Sequence, residues 1–278
     1  GATYFDKDQE VYVVVTPNDG SDAGSDETSS SVTISNTAPE APVVSIETSM
    51  PLEFSMISAG AWHICTMGED NTLECWGRNV FSQVSDTPSD TGFGAVSAGY
   101  EHSCAVNASG GIECWGWDGF NQVADAPTDT DYTAVEAGER HSCSLDASGS
   151  IECWGEDARG QVSDVPTGSG FTTINAGLSH NCALDASGSI SCWGYDHEGQ
   201  VSGTPSDSGY AAVDAGGHHT CALDAAGAIE CWGRNDDGQI SDAPTDDGFT
   251  AISTGIYHVC ALDASGGVEC WGIDDGGA

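Results

Sequence analysis

Apolar and polar residues alternate over short runs along most of this chain, and the runs recur in a fixed order. Phe93–Ala98 alternates and ends at Gly99. His102–Val106 is a second run, Asn107-Ala108-Ser109-Gly110 a turn, and Gly111–Trp115 a third run ended by Gly116. A period of two predicts strands, because successive side chains of a strand face opposite sides. Asn or Asp at the start of the turn and Gly at its end suit a type I turn closed by a glycine bulge. No helical period of about 3.6 appears anywhere.

The three-run unit occurs six times without an insertion. His63, His102, His141, His180, His219 and His258 stand 39 residues apart. Two residues after each comes a cysteine, Cys65, Cys104, Cys143, Cys182, Cys221 and Cys260. Ten residues further on comes a second, Cys75, Cys114, Cys153, Cys192, Cys231 and Cys270, each followed by Trp-Gly. Short strands at a period near 40 predict an all-β chain, a β-propeller of six repeats over residues 54–278. Residues 1–36 read differently, with strands at Val11–Val15 and Ser31–Ser35, and 37–53 reads as a linker. About 35 residues are too few for a sandwich of their own, so 1–36 reads as the last strands of an upstream β-sandwich.

Composition narrows the function. Five Lys+Arg against 44 Asp+Glu give a formal net charge of −39. Phosphate neutralisation needs a basic surface, so nucleic acid is excluded as a partner, and an anionic membrane surface would repel the chain. No apolar run is long enough to insert in a bilayer. Acidity of this kind favours solubility and suits an extracellular or cell-surface location. The chain does not start with Met, which leaves room for an export signal upstream.

The units resemble the regulator of chromosome condensation repeat family. The matching residues are the A-G-x-x-H-x-C-A-L, D-A-S-G and C-W-G segments and the G-Q that follows, as in Ala176-Gly177, His180, Leu184, Gly188, Trp193-Gly194 and Gly199-Gln200. The resemblance implies a propeller, usually of seven blades, so six units imply an incomplete ring. Paired cysteines and acidity depart from nuclear members and point to a bacterial, secreted variant without nucleotide exchange or chromatin binding. The segment ahead of the repeats resembles the end of a bacterial immunoglobulin-like surface repeat.

The cysteine pairs read first as six disulfides within units. Cysteines facing each other across a hairpin lie within bridging range, and Val106 would then face Ile112. A zinc site of one His and two Cys, or free thiols, are the alternatives. His beside Ser103 and Cys104 suggests catalysis, but the group recurs in nearly every unit whereas a catalytic site is normally unique. The histidines therefore read as core residues bonded to backbone, the repeated Trp as filler between blades, and the chain as non-enzymatic. Acidic loops at Asp118, Asp157, Asp196, Asp236, Asp237, Asp242, Asp246, Asp247, Asp274 and Asp275 raise calcium as a cofactor, against the plainer reading of a solvated acidic surface.

The units differ mainly in two loops. If the first strand runs up, the A-G-x-x-H and W-G-x-x-x-x-G-Q loops both lie on top. They contain all four arginines of the chain. The candidate binding residues are Trp62, Arg78, Tyr100, Trp117, Arg140, Arg159, Tyr195, Arg234 and Tyr257, of types that dominate binding hot spots. The leading expectation is a non-catalytic module recognising an extracellular protein or glycan. A structural spacer in a repetitive surface protein is the alternative, as is an inhibitor of an extracellular enzyme, suggested by β-lactamase-inhibiting bacterial relatives of the fold.

Overall fold

The computed structural model describes residues 54–273 together with the short strands Thr33–Ser35 and Val43–Ser45. The chain divides into two units, Gly1–Glu53 and Phe54–Ala278. In the first, Thr33–Ser35 pairs antiparallel with Val43–Ser45. The second of these strands lies in the stretch read as linker. Val43-Val44 is a β-branched pair, and strand propensity there outweighs the prolines at 39 and 42 that suggested a linker. The expected strand at Val11–Val15 lies outside the described residues.

The second unit holds six three-stranded antiparallel sheets, one per repeat, with the middle strand at the centre of each. Blade 1 is Phe54–Ala59, His63–Gly68 and Leu73–Gly77. Blade 3 is Tyr132–Ala137, His141–Asp146 and Ile151–Gly155. First strands of successive blades lie beside one another. Their A-G ends line one cavity of about 520 Å³ shared by all six blades, so the first strands surround the axis.

Three devices in the sequence build each blade and its joint. Cys104 faces Cys114 and Val106 faces Ile112 across the hairpin. All six pairs are disulfides with Cα atoms 4.0–4.1 Å apart. The turn is closed by an Asx motif: Asp146 Oδ1 accepts the amides of Ser148 and Ser150. The glycine of A-G permits close approach, since a Cβ on Gly99 would lie 2.5 Å from the Gly138 carbonyl oxygen of the next blade.

The joints are apolar with a polar seam. Trp115 packs with Met67, Phe93 and Val96 in the first joint, and its Nε1 donates to the Gln83 carbonyl at 3.0 Å. The same bond recurs from Trp154, Trp193, Trp232 and Trp271 to the glutamine of the preceding blade. Five of the six histidines are buried as expected, while His258, on the open side of blade 6, is exposed. For four of the buried ones the partner is a side chain rather than backbone. Nε2 of His63, His102, His141 and His180 bonds to Ser103, Ser142, Asn181 and Thr220, each 40 residues on. Asn181 donates its Nδ2 to Gln161, so its oxygen faces His141 and must accept. This fixes the proton of His141 on Nε2. The longer reach to the next blade wins because the first strand already satisfies the local backbone.

One strand differs from its expected span. Blade 2 opens at Ala95 rather than Phe93. All five other blades carry a bulge just after their opening aromatic. Blade 2 has Gly94 there, the poorest strand former, and the ladder starts later. Phe93 is buried all the same.

The outer sides of the terminal blades are apolar and open. Leu223, inside a joint, is 2% exposed, whereas its blade 6 equivalent Leu262 is 37% exposed. Ile57 of blade 1 is 67% exposed where Val96 of blade 2 is 5%.

Candidate binding rim

The W-G-x-x-x-x-G-Q loops are held from three directions. The glycine after each Trp takes a positive φ, 103° at Gly116. A Cβ there would lie 2.8 Å from the Glu101 carbonyl, so only glycine fits the turn. An Asp or Asn then ties the loop: Asp118 Oδ1 accepts the amides of Val123 and Ala124. Asn79, Asp157, Asp196 and Asn235 do the same. Finally the buried glutamine reaches back, Gln122 Oε1 accepting the amide of Phe120 at 2.9 Å. Its main-chain oxygen meanwhile takes the indole of Trp154 in the next blade. Loop and joint thus share one residue, which fixes the rim relative to the core.

The same bonds change the reading of the acidic loops. Asp118, Asp157 and Asp196 are spent on backbone amides, and Asp236 and Asp237 lie against Arg234. Burial opposes ionisation of Asp157, but the amides of Ser163 and Val162 prevail and hold its pKa below the usual carboxylate value. Among the described residues no group of three or more His, Cys, Asp or Glu is arranged to hold a metal ion. Asp274 and Asp275 lie outside the described residues. The sulfurs beside the histidines are all bridged, so no described Cys–His pair can supply a thiolate.

The A-G-x-x-H loops join this rim through backbone bonds, Trp117 N to Glu101 O and Tyr195 N to Ser179 O at 2.9 Å each. The nine sequence-predicted residues fall into four groups, each an arginine over an aromatic ring. Arg78 lies 5.6 Å from the Trp62 ring, which meets Tyr100 edge-on at 6.4 Å. Arg140 lies 5.9 Å from Trp117 and 5.1 Å from Phe120. Arg159 sits 3.9 Å over Tyr195, and Arg234 lies 5.4 Å from Tyr257. Such pairs attract through the ring quadrupole, by roughly 0.5–1 kcal/mol at exposed sites. Carboxylates flank three of the arginines, with Glu101 3.0 Å from Arg78 and Glu139 3.3 Å from Arg140.

Four further residues complete these groups. Phe81 and Phe120 both pack against Trp117, at 6.1 and 5.5 Å. His197 stacks on Tyr195 and His218 meets it at a steep angle. Their signal in the sequence was position alone: they occupy the variable slots of the same two loops. Burial, with the Arg234 charge next, lowers the His218 pKa. Among the described residues nine large hydrophobic side chains are exposed, and Trp62, Val80, Phe81, Phe120 and Tyr257 of these lie on this rim. The other four, Phe54, Ile57, Leu262 and Val268, belong to the terminal blades.

The Regulator of chromosome condensation (RCC1) repeat matches residues 95–122, 132–161, 171–200 and 210–239, which are blades 2 to 5 with their rim loops. No curated protein matches the sequence. Among solved structures the chain resembles the ectodomain of the receptor kinase CR4 from Physcomitrella patens. Identity is 26%, over 86% of this chain and 69% of that one, with a TM-score of 0.67. The CRINKLY WD40 ectodomain of the Arabidopsis thaliana receptor kinase ACR4 is 24% identical over 81% of this chain and 87% of its own, TM-score 0.67. Prp20p from Saccharomyces cerevisiae is 18% identical over 79% and 72%, TM-score 0.65. With its six disulfide-bridged blades the chain is a β-propeller, and its blades 2 to 5 are regulator of chromosome condensation repeats.

Proposed function

We propose that the propeller is a non-catalytic protein-recognition module working outside the cell, and that the rim between blades 1 and 6 is its binding face. The observation that carries this reading is the joint placement of all four arginines and five exposed large hydrophobic side chains on that rim. Isolated apolar residues on a surface need no explanation, whereas a contiguous set beside arginines has the composition of a hot spot. The richest part spans blades 1 to 3, where Trp117, Phe120 and Arg140 cluster and Phe81 packs on Trp117.

The geometry suits recognition more than chemistry. Loops tied by Asp, Gln and Trp present their side chains without much loss of entropy on binding, and preorganisation of that kind raises affinity. Five of the six repeated histidines are buried beneath the rim, out of reach of a substrate. Relatives in fold support a protein partner: yeast Prp20p is described by its binding to Gsp1p and histones, and also in complex with Kap60. Six disulfides support an oxidising compartment, and two neighbours are receptor ectodomains. A spacer would need no aromatic–arginine groups on one face only.

The test is photo-crosslinking in the native extracellular milieu. A photoreactive residue replaces Phe120 on the rim, or Ser148 in the opposite turn. A defined protein adduct from position 120 and none from 148 supports the reading; adducts from 148 alone reject it.

A further inference from the structure

Arg159 is unlike the other arginines. Arg78, Arg140 and Arg234 each lie within 3.3 Å of a carboxylate oxygen. Arg159 is exposed, and among the described residues it has no carboxylate within ion-pair distance and no side-chain hydrogen bond. Its guanidinium carbon instead sits 3.9 Å from the centre of the Tyr195 ring. A guanidinium carries its five N–H donors in its own plane, so stacking on a ring leaves the forked edges available. In a chain with 44 acidic and five basic residues, an arginine without a carboxylate partner is an exception.

The surroundings favour an anion at this place. His218 meets the same ring at 5.6 Å, and its buried Nδ1 has no hydrogen-bond partner. Arg234 and Arg159 are both close enough to act on His218, opposed by Glu198. That glutamate is already engaged, its Oε1 2.9 Å from His197. The loop is rigid here too, since the Arg159 amide donates to Gln161 Oε1 at 2.7 Å. We propose that Arg159, held over Tyr195, is the docking point for a single carboxylate side chain of the protein partner. The inference rests on the rim reading above and names the chemistry of one group recognised there. A planar carboxylate matches the guanidinium fork with two parallel hydrogen bonds.

The chain's four arginines make the test simple. Side-chain Nε–Hε NMR signals of the whole protein are followed during titration with acetyl-Ala-Glu-Ala-amide, and with its Gln twin. The expected result is a saturable shift of the Arg159 signal with the Glu peptide, at least about tenfold weaker with Gln. The signals of Arg78, Arg140 and Arg234 stay in place. Arg159→Lys keeps the charge and the backbone tie but loses the fork, and should remove the peptide-induced shifts of the Tyr195 ring. An Arg159 signal that does not respond, or four signals that move together, overturns the proposal. Either of those results leaves the crosslinking test of the rim untouched.

Discussion

Trp115 and Trp117 are the same residue type two positions apart, and the structure assigns them opposite roles. Trp115 is 4% exposed, fills the joint between blades 1 and 2, and donates its indole N–H to the Gln83 carbonyl. Trp115→Ala should cost about 3–5 kcal/mol for the lost side chain. Leaving the carbonyl unpaired adds about 1 kcal/mol. For a domain of this size each kcal/mol lowers Tm by about 2–4 °C, so a fall of roughly 10–20 °C is expected. Trp117 lies beyond the Gly116 turn, half-buried against the rim groups Phe81, Phe120 and Arg140. Its removal forfeits aromatic and cation–π contacts worth about 1–2 kcal/mol, or a few degrees. Calorimetry of the oxidised protein and both variants decides the matter. Equal falls in Tm, or a larger one for Trp117→Ala, would refute the assignment of joint and rim.

Other expectations follow from repeat positions that differ in surroundings. Leu223→Ala should cost about 2–5 kcal/mol, whereas Leu262→Ala, at the same repeat position on the open side of blade 6, should cost under half as much in denaturant unfolding. Nε2 of buried His219 has no hydrogen-bond partner, and Val259 occupies the position filled by Ser, Asn or Thr in blades 2 to 5. Val259→Thr should therefore be neutral or stabilise by up to about 1 kcal/mol; a loss above 1 kcal/mol would contradict the histidine seam. Burial holds the folded pKa of His102 and His180 near 3 and of His141 and His219 near 4. Above pH 6.5 these residues are neutral folded or unfolded; below it only the unfolded chain gains protons, so stability falls towards pH 4. Burial raises Glu136 to about 8, which works the other way, adding stability as pH drops from 8. Burial raises Asp214 as well, but four histidines outweigh these two carboxyls below pH 6.5, so Tm should peak near pH 6–7 rather than climb steadily as acid removes the negative charge. A Tm that keeps rising to pH 4.5 would contradict this.

The blades were legible in the sequence because everything that makes one blade lies within one period. Cys104 opposite Cys114, Val106 opposite Ile112 and the turn after Val106 all follow from alternation and spacing over 15 residues. The joints were less legible because their partners lie a whole unit away. His102 bonds to Ser142, and the run of polar residues at 103, 142, 181 and 220 was the available signal. Gln122 looked like part of a loop signature, and only the fold reveals that it ties its own loop and receives the next tryptophan. On the rim, residue type and slot singled out nine positions, but which arginine lies over which ring depends on blade spacing. Arg140 reaches back to Trp117 and Arg159 forward to Tyr195, a difference no periodicity contains.

The central claim is that recognition takes place on the rim. It is tested most directly by the affinity of the crosslinked partner for three forms of the propeller. These are the unmodified chain, the rim variant Trp62→Ala/Trp117→Ala/Phe120→Ala, and Asp129→Ala in an exposed connection on the opposite side. Hot-spot truncations cost 2 kcal/mol or more each, so the rim variant should bind at least about 100-fold more weakly while Asp129→Ala binds as before. Unchanged affinity for the rim variant, or loss with Asp129→Ala, would contradict the account.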